Sequence, residues 1–204
     1  GGHEGPLQIE VNGLKFLTDT GSGHKTGFYL GQQVNYERVA KRVRPGDNVL
    51  DCFSFVGGFA LHAARAGAAQ VLALDQSQDA CNALTAHAAL NGVADRCAPQ
   101  AVNVFDWLKQ ATLAPPNEKI VPRYDLIVLD PPSFTRNRAS VRDALRGYKE
   151  IHLRALKILR PGGILATFCC SHHVDAQTFE DAILAAAYDA HKILRRLEVY
   201  TQSP

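Results

Sequence analysis

The residues best placed to do chemistry stand at Asp130-Pro131-Pro132-Ser133-Phe134. Leu126-Ile127-Val128-Leu129, just before them, is an unbroken aliphatic run, the pattern of a parallel strand covered on both faces. Neither proline can donate to a sheet ladder, and Pro131 biases Asp130 towards an extended backbone. The expected arrangement is a carboxylate at the carboxyl end of a central strand, with a stiff turn beyond it. In open α/β sheets that edge binds ligands. A carboxylate there can hold a proton or hydrogen-bond a ring nitrogen.

Three more polar residues follow predicted strands. Asp51 ends the first, Asp75 ends Val71-Leu72-Ala73-Leu74, and Asn103 follows a weak third strand. An acid at the second of these positions typically grips ribose hydroxyls, and Asn103 could meet an adenine edge. With Asp130 they make four polar residues at four successive strand ends, one crevice suited to a nucleoside-type ligand. Asp51-Cys52-Phe53-Ser54-Phe55-Val56-Gly57-Gly58 is a strand-turn-helix junction whose glycines would let a ligand approach the backbone closely. It is not the dinucleotide G-x-G-x-x-G pattern, and Gly21 to Gly27 lacks Walker spacing. Arg138, Arg142, Arg146 and Lys149 recur every three or four residues, so they share one helix face, with Arg136 just before it. A polyanion lying across them would offset their mutual repulsion.

The elements that must hold these residues alternate. A hairpin is expected over Gln8 to Thr18, turning at Asn12-Gly13. A helix follows from Gln33 to Val43. Strands are expected at 48–53, 70–74, 98–102, 126–129, 164–169 and 192–200, and helices at 57–66, 77–90, 105–111, 140–159 and 175–190. This rhythm predicts an α/β fold, a Rossmann-like doubly wound parallel sheet preceded by the hairpin. The 204 residues suit one domain of good size. No apolar run is long enough to span a membrane, and no signal peptide opens the chain. The five cysteines are odd in number and lack metal-ligand spacing, which points to a reducing, cytoplasmic compartment and no metal. The net charge of +2 decides little. The chain has no methionine, even at position 1, and is expected to be a fragment or processed product.

The order of these motifs resembles class I S-adenosylmethionine-dependent methyltransferases. Asn12-Gly13-Leu14-Lys15-Phe16, Lys25-Thr26-Gly27-Phe28-Tyr29-Leu30, Asp51 to Ala60, Asp130 to Phe134, Arg146-Gly147-Tyr148-Lys149 and Thr167-Phe168-Cys169-Cys170-Ser171 are similar, more closely, to the bacterial 23S ribosomal RNA cytosine-5 methyltransferases of the large-subunit methyltransferase I type. The resemblance covers nearly the whole chain. It implies S-adenosylmethionine as cofactor, held by Asp51, Phe53, Gly57, Asp75, Asn103 and Asp130. Gly57 would lie under the methionine part, Asp75 at the ribose, Asn103 at the adenine and Asp130 near the methyl group. Two departures stand out: Gly31-Gln32-Gln33 replaces the usual Asp-Gln-Arg, and Asn103 replaces an aspartate. The family's N-terminal PUA domain does not precede Gly1, and its final antiparallel strand would lie beyond this chain. An unpaired sheet edge would then invite a homodimer. The resemblance divides the chain into residues 1–32, a hairpin and loop remnant of the linking domain, and 33–204, the cofactor-binding domain.

Cytosine carbon 5 is a poor nucleophile until a thiolate adds at carbon 6. Such a site needs a cysteine, a group at N3 and a methyl donor. By the motif match Cys170 is the nucleophile and Asp130 the group at N3. Cys169 is its neighbour, and on extended backbone only one of the two can face the crevice. The site is expected to lower the thiol pKa, and His172 and His173 are either contributors to that or a solvated turn. Arg136, Arg138, Arg142, Arg146 and Lys149 would contact ribosomal RNA, and Tyr148 is either a base-stacking ring or core. Ser133 stands where many such enzymes carry a second cysteine. A guanine-N7 methyltransferase and a non-catalytic RNA-binding module remain alternatives; the first needs no thiol and the second no cofactor.

Overall fold

The computed structural model describes residues 7–18, 30–113, 118–135 and 138–200. Strands β1 (Leu7–Val11) and β2 (Leu14–Thr18) pair antiparallel, with Val11 opposite Leu14. Asn12 and Gly13 both have positive φ, 52° and 76°, as the tight turn between twisted strands requires. Helix α1 (Gln33–Ala40) leads to β3 (Asn48–Cys52), α2 (Gly58–Arg65), β4 (Gln70–Asp75), α3 (Gln78–Leu90), β5 (Cys97–Ala101), α4 (Val104–Ala111), β6 (Tyr124–Leu129), α5 (Val141–Ile158), β7 (Leu159–Thr167) and α6 (Ala176–Asp189). Side chains start three of these helices. Ser77 accepts from the Ala80 amide, Asn103 from Asp106 and Asp175 from Thr178.

The five parallel strands lie in the order β5-β4-β3-β6-β7. The order of the chain reverses between β3 and β6, and that is where such sheets open a crevice. Alternation assigns each strand residue to a layer. Val49, Val71, Ala73, Leu126 and Val128 join a core with α2, α3 and the hairpin's Val11, Leu14 and Phe16. Leu50, Leu74, Ile127 and Leu129 join a second core with α4, α5 and α6. The hairpin is therefore built into one layer. Asn91 Nδ2 donates to the Lys15 carbonyl at 2.7 Å, and the Leu17 amide donates to His87 Nε2 at 3.0 Å.

Two expectations are corrected. Residues 192–200 form no strand: they run past the sheet without ladder bonds, with Ile193, Leu197 and Val199 exposed. Their alternation suits a strand, but a strand needs a partner, and among the described residues none lies outside β7. Tyr200 instead stacks on Phe168, with ring centres 6.0 Å apart. Strand β7 also starts earlier than expected. Arg160-Pro161-Gly162-Gly163 ends α5 as predicted, but it does so as a bulge inside the strand, between the pairs Tyr124–Leu159 and Leu126–Ile164. A Cβ on Gly163 would lie 2.9 Å from the carbonyl oxygens of Arg160 and Asp125.

Phe16 is fully buried beside α3, so Phe16→Ala should cost about 3–5 kcal/mol of unfolding free energy in urea titration. Leu17→Ala, on the open side of the same strand, should stay within about 0.5 kcal/mol.

Candidate active site at the strand switch point

Asp51, Asp75 and Asp130 come from β3, β4 and the end of β6, and alternation turns all three towards the α1–α3 layer. Asp51 is wholly buried, and neither carboxylate oxygen has a hydrogen-bond partner. Burial pushes its pKa well above the carboxylate range, and the Asp130 charge adds to the rise. The Ala60 amide opposes that rise without reaching hydrogen-bond geometry. A buried carboxylate without a partner is costly, and a cationic or hydrogen-donating ligand would relieve it. Asp75 is engaged within the protein. Its oxygens accept from the Phe55 and Ser77 amides, both at 2.9 Å. The turn it supports has Phe53, Phe55 and Gly57 at φ 64°, 48° and 96°.

The fold itself requires Gly57 and Gly58. A Cβ on Gly57 would meet Leu84 Cγ at 2.7 Å, and one on Gly58 would strike the Tyr36 ring. The protein's own packing, together with the positive φ of Gly57, demands the glycines. Phe53 packs edge-on against Phe105 and Phe134, at 6.3 and 6.4 Å between centres. Asn103 lies at the adjoining strand end, exposed, with its Oδ1 capping α4 at 3.2 Å from the Asp106 amide.

Asp130 is met from two sides. Gln32 Nε2 donates to both of its oxygens at 3.3 Å, and Asn35 Nδ2 holds Gln32 Oε1 at 2.6 Å. Across the crevice, Cys170 Sγ lies 3.9 Å from Asp130 Oδ1. Burial raises the Asp130 pKa to about 6, against the opposing pull of Gln32 and Cys170. Cys169 points the other way, with Sγ 3.5 Å from the Tyr148 hydroxyl and packing in the second core. Phe168, two residues before Cys170, belongs to the first core, so extended alternation puts Cys170 on the Asp130 face.

The expected depression of the thiol pKa is overturned. The Cys170 residue is exposed, but its sulfur faces inward, and burial with the Asp130 charge pushes the thiol up to about 11. His172 and His173 are exposed, and no hydrogen bond links either to Cys170. Tyr148 is fully buried, so it is core and not a stacking platform.

The basic stripe is brought together in part. Arg142 and Arg146 lie on the exposed face of α5, opposite Ala144, Tyr148 and Ile151. Arg146 pairs with Asp143 at 2.6 Å and Lys149 with Asp189 at 2.7 Å. Arg138 opens a 3-10 turn, Arg138–Ser140, before α5. Arg136 and the glycine-rich loop at 21–27 lie outside the described residues. Among the described residues no group of three or more His, Cys, Asp or Glu could hold a metal, and no helix is long and apolar enough to cross a membrane.

Gln32 is the functional contact that sequence reading undervalued. It belongs to the departing Gly31-Gln32-Gln33 stretch and grips the Asp130 carboxylate.

A sequence profile of the S-adenosylmethionine-dependent methyltransferases matches residues 4–202. The chain belongs to this family. It is 40% identical over 200 residues to the ribosomal RNA large subunit methyltransferase I of Aeromonas salmonicida (strain A449), covering 97% of this chain and 48% of that protein. It is 37% identical over 211 residues to the protein of that name from Aliivibrio fischeri (strain ATCC 700601 / ES114), covering 99% and 50%. The chain thus spans about half the length of the curated relatives it matches. A putative S-adenosylmethionine-dependent methyltransferase from Streptococcus mutans superposes with a TM-score of 0.75 at 22% identity, covering 92% of this chain and 47% of that one. That likeness carries the fold.

The folded pKa of Asp130, about 6, exceeds its ordinary value of 3.8. Between these values the folded state holds more proton than the unfolded state, so stability falls as pH rises from about 4 to 6 and stays lower above. Asp130→Asn removes this loss. At pH 8 calorimetry should show the variant more stable by on the order of 2 kcal/mol, with the difference vanishing towards pH 4.

Proposed function

We propose that this methyltransferase domain acts on carbon 5 of a cytosine in large-subunit ribosomal RNA, through a covalent adduct to Cys170. The observation that carries the reading is the placement of Cys170 Sγ 3.9 Å from Asp130 Oδ1, with Cys169 turned away. The names of the relatives, ribosomal RNA large subunit methyltransferase I, support the substrate class. Asp51, Phe53, Gly57, Asp75 and Asn103 would hold the cofactor, with Asp51 free to meet its ammonium group. When bound, S-adenosylmethionine supplies an electrophilic methyl group and a positive charge.

The chain's own residues account for the proton movements. Cys170 rests as a thiol because burial and Asp130 both oppose its ionisation. As its sulfur adds to carbon 6, the proton passes to Asp130, the nearest carboxylate. Asp130 then donates at N3, which neutralises the charge that addition puts on the ring. Gln32 keeps both Asp130 oxygens aimed at the crevice. Carbon 5, now enamine-like, would take the methyl group; its proton would then pass to water as the carbon 6–sulfur bond breaks, and the N3 proton would return through Asp130 to the departing thiolate, restoring both groups. Ser133 offers no second thiol, so release of the product rests on that elimination. The target base must leave its stack to reach Cys170, which implies a loop or a flipped nucleotide.

The exposed face of α5 is the proposed RNA track, and Arg136 and Arg138, which precede it in the chain, are assigned to the same contact by sequence. Its ion pairs are solvent-exposed and weak, so phosphates can displace them. We assign the hairpin and loop of residues 1–32 to a linking domain and residues 33–204 to the catalytic domain.

Tritiated S-adenosylmethionine and unmodified ribosomal RNA should yield label in 5-methylcytosine. Label in 7-methylguanosine would replace this reading with the guanine one. Cys170→Ala should lower the transfer rate by ~10³-fold or more, as loss of a nucleophile does, while Cys169→Ala retains most activity. Arg142→Ala and Arg146→Ala should each weaken RNA binding across sequences and reduce the slope of log K against log salt by about 1.

A further inference from the structure

Beside Asp130 and Cys170 runs a chain of hydroxyls, buried at Tyr148 and Ser171 and exposed at Ser133, that the proposed chemistry does not use. Ser133 Oγ donates to the Thr135 carbonyl at 2.9 Å and contacts Ser171 Oγ at 3.0 Å. Ser171 Oγ contacts the Tyr148 hydroxyl at 2.8 Å, and Cys169 Sγ donates to that hydroxyl at 3.5 Å. A hydroxyl has one proton, so the direction of the chain can be worked out. Ser133 spends its proton on Thr135. Ser171 must then donate to Ser133, and Tyr148 must donate to Ser171. The protons run one way, from Cys169 through Tyr148, Ser171 and Ser133 to a backbone carbonyl. Each member gives once, and bonds aligned in this way strengthen one another.

The chain joins two loops. Ser133 follows Asp130 by three residues, across two stiff prolines. Ser171 follows Cys170 directly. The ladder between β6 and β7 ends at Leu129 and Thr167, and the Phe168 amide adds one bond to the Leu129 carbonyl at 2.9 Å. Beyond it, the described residues show two side-chain links between these loops: the long Cys170–Asp130 contact itself and the Ser133–Ser171 bond. Tyr148 and Ser171 are 0% and 4% exposed, so the tether is anchored on the rigid inner face of α5. His152 adds to that anchor. Its Nδ1 meets the Tyr148 carbonyl at 2.6 Å, and its Nε2 meets Thr167 Oγ1 at 2.7 Å, at the end of β7.

We propose that Tyr148, Ser171 and Ser133 are positioning residues whose hydroxyl chain sets the distance between the Cys170 thiol and the Asp130 carboxylate. This rests on the reading of Cys170 and Asp130 as the reacting pair. The thiol must pass its proton across that gap as it attacks, and small displacements of reacting groups cost rate steeply. Tyr148 thus acts through the serines and touches no substrate.

The test is the pH profile of Cys170 alkylation by iodoacetamide, followed by mass spectrometry of its peptide, in the wild-type protein, Ser133→Ala and Tyr148→Phe. Ser133 is exposed, so Ser133→Ala cuts the bond between the loops without opening the core. In wild type burial of the sulfur and the nearby carboxylate together hold the midpoint high. In both variants it should move down towards the free-thiol value of about 8.5, with alkylation at pH 8 several-fold faster. Asp130→Asn should produce the same shift, which shows that the profile reports the carboxylate. Methyl transfer by the variants should fall about 10- to 100-fold in kcat, with cofactor affinity by calorimetry and thermal midpoint nearly unchanged. An unmoved midpoint in both variants overturns the proposal. So does a moved midpoint with wild-type kcat, or a loss of activity that only follows a loss of folded protein. If wild type methylates no cytosine, the functional reading fails, while the alkylation profile still decides whether the chain sets the gap.

Discussion

Two carboxylates, Asp51 and Asp130, lie in one crevice at the point where the sheet reverses its order, and the loss of hydration there raises the proton affinity of both. Among the described residues no hydrogen bond reaches either Asp51 oxygen, and Asp130 has a neutral amide and a thiol. A strong cationic partner from the protein would remove the strain and with it the reason to bind a cation. Neutral Gln32 instead orients Asp130 while leaving its proton affinity high. The cost falls on folding stability, and the sheet on either side carries it. Val49, Leu50, Ile127 and Leu129 are almost completely buried around the two acids. Strained, under-satisfied groups persist where the surrounding structure over-determines them.

That surrounding structure divides into two jobs along the same strands. The layer of α1 to α3 faces the acids and supplies Gln32, the glycine turn and the hairpin. The layer of α4 to α6 supplies the aromatic wall of Phe53, Phe105 and Phe134, which continues through Tyr148 to Phe179. Adjacent residues in β7's exit reach both layers. Phe168 and Cys170 look to the first and Cys169 to the second, so a one-residue slip would exchange the two thiols.

Much of this was legible in the residues. The aliphatic run ending at Asp130, the Asn12-Gly13 turn and the Ser77 cap each state their structure through local chemistry, and each stands where expected. The choice between Cys169 and Cys170 was decidable in principle from parity. Phe168 is apolar and buried, and Asp130 shares its face through the pairing of Leu129 with Thr167. What stayed hidden is non-local. Gln32 meets Asp130 across 98 residues, and Ser133 meets Ser171 across 38. No periodicity marks such pairs. The thiol pKa was misjudged because the expectation counted two histidines nearby in sequence, whereas the sulfur faces a carboxylate. Residues 192–200 alternate like a strand, but alternation says nothing about whether a neighbour exists to pair with.

The hairpin carries a consequence in time. Its residues are made well before its tertiary partners, His87 and Asn91, which lie 70 and 76 positions later in the chain. At about 5–20 residues per second of synthesis, Leu14 and Phe16 wait on the order of 4–15 seconds without the helix that covers them. During that interval the apolar face of the ribbon lacks the layer that covers it in the folded domain. Its docking therefore closes the first layer only after β3, α2, β4 and α3 have been made.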